Sequence, residues 1–348
     1  MTTLGASAHR LSPTVVEDLL DRLDVAEERL TLDLRQLDTI ERSAGAILSN
    51  ALVGSLGHRT LEICAGENAD ELMRSSGLAF ALANRVGTTV IHGRSDVSPS
   101  AGWAREWRPG QLEPLRAMMR PGDAELFEPS ELHETAIEPD LFGPTYAAFV
   151  NPHLTQPSLQ HHPLTTLLWP WLDRLIPRRQ PRPVDTEARA LWVADVGRVV
   201  DEVLSNVCEH ARHSDGRRIH SLVQVSVTRG GGERSTNRLH LCIQDTGPGI
   251  PLTARPKIGP AIAAELNETQ LVGRLLEGTL SPWGRGRGQG LPRVAEICRR
   301  LSGTLRLATK ITRATVEGGS TNEAVLLTPA PFRLDGTVVT LTLPVPGL

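Results

Sequence analysis

The spacing of apolar positions changes several times along the chain. Residues 31–34 and 60–64 are short apolar runs that predict strands, while 44–56 and 69–86 carry apolar residues at helical spacing. That strand-helix-strand-helix order predicts an α/β layer. Further on, residues 186–212 hold a long helical pattern, with Val199, Val203, Val207 and Ala211 along its apolar side. Residues 222–228 and 239–244 alternate like half-buried strands and are joined through a turn region at Gly230-Gly231-Gly232. A helix is predicted to follow Gly290 and to end near Ser302-Gly303. Closing strands are predicted at 304–308, 323–328 and 337–343. No internal repeat is visible.

Between these patterned regions, residues 96–185 are different in kind. Prolines recur throughout and block long helices and central strands. Five of the six tryptophans fall between Trp103 and Trp192, and such large apolar side chains supply burial. The chain therefore divides into an α/β region at 1–95, a Pro/Trp-rich connector or insertion at 96–185, and a larger α/β region at 186–348.

Composition narrows the function classes. The chain has 348 residues with 40% apolar content, enough for two domains and a sizeable core. No apolar run approaches the length of a membrane span, and residues 1–10 lack the basic-then-apolar layout of a secretory signal. A cytoplasmic protein with no membrane association is expected. The net charge of −3 creates no global field toward nucleic acid, which is not indicated as a partner. Cys64, Cys208, Cys242 and Cys298 lie far apart without a CxxC pair, which predicts buried free thiols rather than a zinc site. Lys257 and Lys310 are the only lysines, so few lysines are available as phosphate ligands.

Three polar constellations carry chemistry. Glu202, Asn206 and His210 follow one another at four-residue spacing and stack on one helix face. A carboxamide oxygen can ligate Mg²⁺, and a neighbouring carboxylate can orient a water or hydroxyl; the same spacing also describes a solvated helix face. Asp245, at a strand end, is followed by Thr246-Gly247-Pro248-Gly249-Ile250. Its carboxylate can accept from the amino group of adenine, where guanine presents an acceptor, and the glycines permit close backbone approach; an ordinary Asp-x-Gly turn is the other reading. Finally, Gly284-Arg285-Gly286-Arg287-Gly288-Gln289-Gly290-Leu291-Pro292 places glycines at alternate positions before a helix opened by proline. Successive amides at a helix N-terminus suit phosphates, and Arg285 and Arg287 add charge; a flexible basic loop is the alternative.

The order of these pieces resembles the GHKL superfamily, which includes gyrase, the large heat-shock chaperones, histidine kinases and mismatch-repair ATPases. Glu202-Val203-Leu204-Ser205-Asn206 resembles its N box, Asp245-Thr246-Gly247-Pro248-Gly249 its G1 box, and 284–291 its G2 box. Asp335-Gly336-Thr337 and the residues up to Pro344 resemble its last strand. The resemblance implies a Bergerat fold, with a mixed sheet on one side, helices on the other and ATP between. It implies that Asn206 binds Mg²⁺ and Asp245 reads the adenine amino group, with Thr337 nearby. Gly247, Gly249 and Ile250 would line the base. Arg285, Gly286, Arg287, Gly288, Gln289, Gly290 and Leu291 would meet the phosphates, and Glu202 would polarise the attacking water or hydroxyl. Residues 256–282 would be the ATP lid, with one helical stretch at 261–276.

Asn206-Val207-Cys208-Glu209-His210 looks most like the anti-sigma-factor serine kinases, which carry a histidine four residues after the asparagine. The segment from Leu32 through Ser43-Ala44-Gly45 looks like a STAS domain. In that family a serine at the Ser43 position accepts phosphate, whereas the local reading of Ser43 is a helix N-cap. Together these resemblances imply an α/β (α+β) protein with a smaller N-terminal STAS-like domain, acting as an ATP-Mg²⁺ kinase or ATPase switch on a protein partner, as a homodimer or within a hetero-complex. An ATP-driven conformational clamp and a non-hydrolysing nucleotide-binding scaffold are the alternatives.

Overall fold

The computed structural model describes residues 2–5, 9–22, 28–54, 56–57, 59–65, 78, 88–92, 145–149, 186–211, 221–228, 238–282, 288–319 and 324–345. The predicted helix at 69–86 apart from Leu78, most of the 96–185 region, the Gly230 turn and Gly284 to Arg287 lie outside them.

Residues before position 93 supply β1 (Thr2–Gly5), β2 (Arg10–Leu11), α1 (Pro13–Asp21), β3 (Arg29–Asp33), β4 (Thr39–Ile40), α2 (Arg42–Val53), β5 (Thr60–Ala65) and β6 (Thr88–His92). Ser12 caps α1 by accepting from Val15 N, with Pro13 in the first turn. Strands β1, β3, β5 and β6 pair in that order, all parallel, and β2 pairs with β4. This is the α/β layer predicted from the two apolar runs, widened by strands too short to show a period of their own.

The larger region contains β7 (Thr145–Phe149), α3 (Thr186–His210), β8 (Ser221–Thr228), β9 (Arg238–Asp245), α4 (Ile250–Ala254), a 3₁₀ turn (Arg255–Lys257), α5 (Pro260–Glu265), α6 (Glu268–Leu276), α7 (Gly290–Arg300), β10 (Thr304–Glu317) and β11 (Leu326–Pro344). The sheet order is β10-β11-β9-β8-β7. Its pairs are antiparallel throughout, where a mixed sheet was expected. Strand β7, from the proline-rich region, closes the edge beside β8.

Two other expectations change. The predicted strands at 323–328 and 337–343 are one long strand, β11, because β10 continues past 308 and pairs with it on both sides of a register break at Lys310. The single lid helix at 261–276 is two helices. Leu266 leaves helical geometry and Asn267 opens α6 with a capping box shared with Gln270.

Register assigns the two faces of the larger sheet. Leu305, Leu341 and Leu241 form one row across β10, β11 and β9, and Leu307, Val339 and Ile243 the next. These rows pack with Val199, Val203, Val207, Val294 and Ile297 of α3 and α7 in one core. The opposite face carries Cys242, Ala308 and Val338, which join Val16, Leu20, Ile47 and Leu48 of α1 and α2, and Leu30, Leu32, Leu61 and Ile63 of the parallel sheet, in a second core. The chain is thus layered as parallel sheet, α1–α2, antiparallel sheet, then α3, α6 and α7. Cys242 and Cys298 are buried free thiols and Cys64 is a half-buried one.

Candidate functional site

At the end of β9 the inner face turns from apolar to polar. Thr309, Thr337 and Asp245 form the last cross-strand row. Asp245 is 5% exposed, and its Oδ1 accepts from Gly247 N at 2.8 Å. Burial pushes its pKa up to about 7, against the Gly247 and Thr337 amides and the Lys310 charge. Gly336 has φ 75°, and a Cβ there would overlap the Asp245 carbonyl, so only glycine lets β11 run this close. Thr309 Oγ1 donates to Gly336 O at 2.9 Å and accepts from Ile250 N at 3.1 Å, tying three chain segments together at the floor of the site.

Helix α3 forms one wall. Its apolar side enters the core, which turns Asn206 and His210 into a cavity also lined by Asp245, Gly249, Ile250, Gly288, Gly290, Leu291 and Thr337. Nine of the residues proposed from sequence therefore meet at one cavity. Gly247 lies against Ala211 instead, and Gln289 is exposed. Arg285, Gly286 and Arg287 lie outside the described residues. His210 is held below its usual pKa by burial and by the charge of Lys257, so it is neutral at pH 7.

Glu202 and Asn206 lie where α3 meets α7. A Cβ on Gly290 would come within 2.8 Å of Glu202 Oε2 and 3.4 Å of Asn206 Nδ2. The backbone of the glycine loop thus reaches the carboxylate and the carboxamide together. Asn206 Nδ2 is buried without a hydrogen-bond partner among the described residues. An amide nitrogen that is buried and unsatisfied at the meeting point of a carboxylate and a phosphate-type loop fits a Mg²⁺–phosphate ligand, with the amide turned to offer its oxygen. Glu202 Oε1 accepts from Arg293 Nη1 of α7 at 2.6 Å.

Thr309, Lys310, Arg293 and Asn50 were not foreseen. Lys310 sits at a break in the β10–β11 register with φ 47°, 4% exposed, its Nζ 3.3 Å from Asp335 Oδ1. Asn50, on α2, donates from Nδ2 to the Asp245 backbone carbonyl at 2.7 Å, from the far face of the sheet. A lysine in a strand otherwise rich in threonine was the one visible signal among them.

The cavity itself is small, about 60 Å³. Sites for drug-sized ligands are ~300 Å³ and above, so the described residues alone enclose only part of such a volume. Among the described residues no helix is long and apolar enough to cross a membrane.

Comparison with known families places this geometry. Residues 193–347 match the family described as histidine kinase-, DNA gyrase B-, and HSP90-like ATPase, and so form an ATPase domain of the GHKL type with the α/β sandwich that type shares. Domains of this type bind ATP, typically with Mg²⁺. A comparison with curated proteins found no match.

Proposed function

We propose, with the ATPase-type domain at 193–347 as the premise, that this chain is a cytoplasmic ATP-Mg²⁺ regulatory switch that phosphorylates a serine or threonine of a protein partner. One observation carries the reading: Glu202 and Asn206 meet the backbone of Gly290, with His210 on the next turn of α3 lining the cavity that Asp245 closes. In this reading the set offers a base, a metal ligand and backbone amides for an in-line transfer, and the histidine is the feature that resembles the serine kinases.

In this reading Asp245 accepts the adenine amino group and Thr337 lies beside it. Asn206 would hold Mg²⁺, which offsets charge on the phosphates when bound. Gly288 and Gly290 offer amides to the phosphates. Glu202 takes the proton of the acceptor hydroxyl as its oxygen bonds to the γ-phosphorus and the β–γ bridging bond breaks, leaving ADP.

A second reading, hydrolysis coupled to a conformational clamp, is favoured by Arg293. Arg293 of α7 pairs with Glu202 through Oε1, so a movement of α7 would change the basicity of Glu202.

Incubation with γ-labelled ATP, with and without candidate partner proteins, separates them. Label on serine or threonine of a partner is expected. Free phosphate alone would favour the clamp, and nucleotide bound without turnover would favour a scaffold. Glu202→Ala should keep nucleotide binding while slowing turnover by ~10²-fold or more. Unaltered turnover would remove Glu202 from the mechanism.

A further inference from the structure

A second cavity lies apart from the nucleotide site. It measures about 460 Å³ and lies on the opposite face of the antiparallel sheet, under the start of α2. Its size falls in the range of sites that hold small ligands. Its floor is the polar continuation of the outer face: His240, Thr342 and Thr304 in one cross-strand row, and Cys242, Thr340 and Arg306 in the next. Its roof is Arg42 and Ser43 at the N-terminus of α2. The site is therefore built jointly by the N-terminal segment and the ATPase-type domain.

The lining is cationic. Arg42, Arg238 and Arg306 face it against one carboxylate, Glu41. Glu41 is shared, 3.1 Å from Arg10 Nε and 3.9 Å from Arg306 Nη1. Arg306 Nη1 also donates to Ser43 Oγ at 3.3 Å. Arg42 Nη1 is buried and has no hydrogen-bond partner among the described residues, and neither Arg42 nor Arg238 makes an ion pair among them. A guanidinium with a buried, unpaired nitrogen is costly unless an anion meets it. Here burial draws Arg42 down to about 10, and the field of Arg42 and Arg238 adds to burial in holding His240 down to about 3.

The helix end adds neutral donors. The first helical bond of α2 runs from Gly45 N to Glu41 O at 2.8 Å, and no side chain caps the turn. The amides before Gly45 thus have no partner within the helix. Thr304, Thr340 and Thr342 contribute hydroxyls.

We propose that this cavity is a binding site for a small free phosphate-bearing solute, separate from the nucleotide pocket. Guanidinium forks, helix-terminal amides and hydroxyls together match the several oxygens of a phosphoryl group. The bound anion would bridge α2 to β9 and β10 and hold the two layers together.

The test uses the full chain and pyrophosphate as the probe, titrated calorimetrically with and without a non-hydrolysable ATP analogue. Pyrophosphate is expected to bind in both conditions. Arg238→Gln, at the exposed start of β9, and Arg306→Gln should each weaken it about tenfold or more, because each removes a charge-assisted bond. Far-UV circular dichroism confirms that both variants fold. Absence of pyrophosphate binding would overturn the proposal, as would binding that both variants leave unchanged or that the ATP analogue abolishes. If the analogue itself fails to bind, the nucleotide assignment falls, and the two arginine variants still decide this site.

Discussion

Two demands meet at Asp245. In the proposed function its carboxylate accepts from a nucleotide, yet it sits in the protein interior, where burial pushes its pKa up to about 7. An aspartate in an unfolded chain titrates near ~3.9. The folded protein therefore holds this proton more tightly, so stability falls as pH rises from about 4 to about 7 and is level above that. An ionised carboxylate is the better acceptor for an adenine amino group, so nucleotide affinity should climb through the same upper range. Asp245→Asn removes the titration. The variant is expected to melt above the parent at pH 8, by a margin that shrinks toward pH 5, and to bind ADP about tenfold more weakly or worse. Melting curves at the two pH values and an ADP titration check this; a melting difference indifferent to pH would return Asp245 to an ordinary pKa. Residues such as Asp245, Asn206 and Gly290 were legible in the sequence because their chemistry is local to short ordered motifs. Thr309 and Asn50 were not, because a common polar residue becomes part of a site only through a bond to a segment distant in sequence.

At the scale of elements, α2 shows how much a period can hide. Apolar spacing predicts a helix with one face to cover, ending at Leu56. The observed helix ends at Val53 and is buried from Ser43 to Leu52, serines and Asn50 included. Two of its polar side chains, Ser49 and Asn50, bond to the second sheet. Ser49 and Gln244 exchange hydrogen bonds at 3.1 and 3.2 Å, and Asn50 donates to the Asp245 carbonyl. Ser43 is not the N-cap. Glu41 holds that position, and Ser43 lies within the first turn, 9% exposed. Docking between two layers leaves no periodic mark, since a helix covered on both sides reads from sequence like one covered on a single side with a few small polar residues. The bond from Asn50 gives α2 a direct hold on the strand end that carries Asp245. Asn50→Ala should cost about 1–2 kcal/mol and weaken nucleotide binding several-fold, because a buried carbonyl loses its donor at the floor of the site. Thermal melting and an ADP titration read both effects. Lower stability with unchanged affinity would make Asn50 an anchor for packing alone.

For the whole molecule, the outer face of the antiparallel sheet decides whether the chain works as one body. Val338, Ala308, Cys242 and Leu334 are between 0% and 8% exposed, and α1 and α2 cover them. Glu17 of α1 pairs with Arg313 of β10, a buried ion pair that spans the two regions. Removing one partner of such a pair strands a charge, and pulling the layers apart would expose both cores at once. The N-terminal segment and the ATPase-type domain should therefore open together. A ligand that binds only the folded form stabilises by about 2.7 kcal/mol at a hundredfold excess over its Kd, and that gain reaches every residue in the same cooperative unit. Hydrogen exchange with saturating ADP is expected to slow amides in α2 and β3 as well as in α3 and β9, although no residue of α2 or β3 lines the nucleotide cavity. Protection confined to residues beyond 186 would show instead that the layers open independently. The bond from Asn50 to Asp245 would then be a contact between two units, too weak to couple them, and a switch built on this chain would need a partner to carry the signal from nucleotide to N-terminal segment.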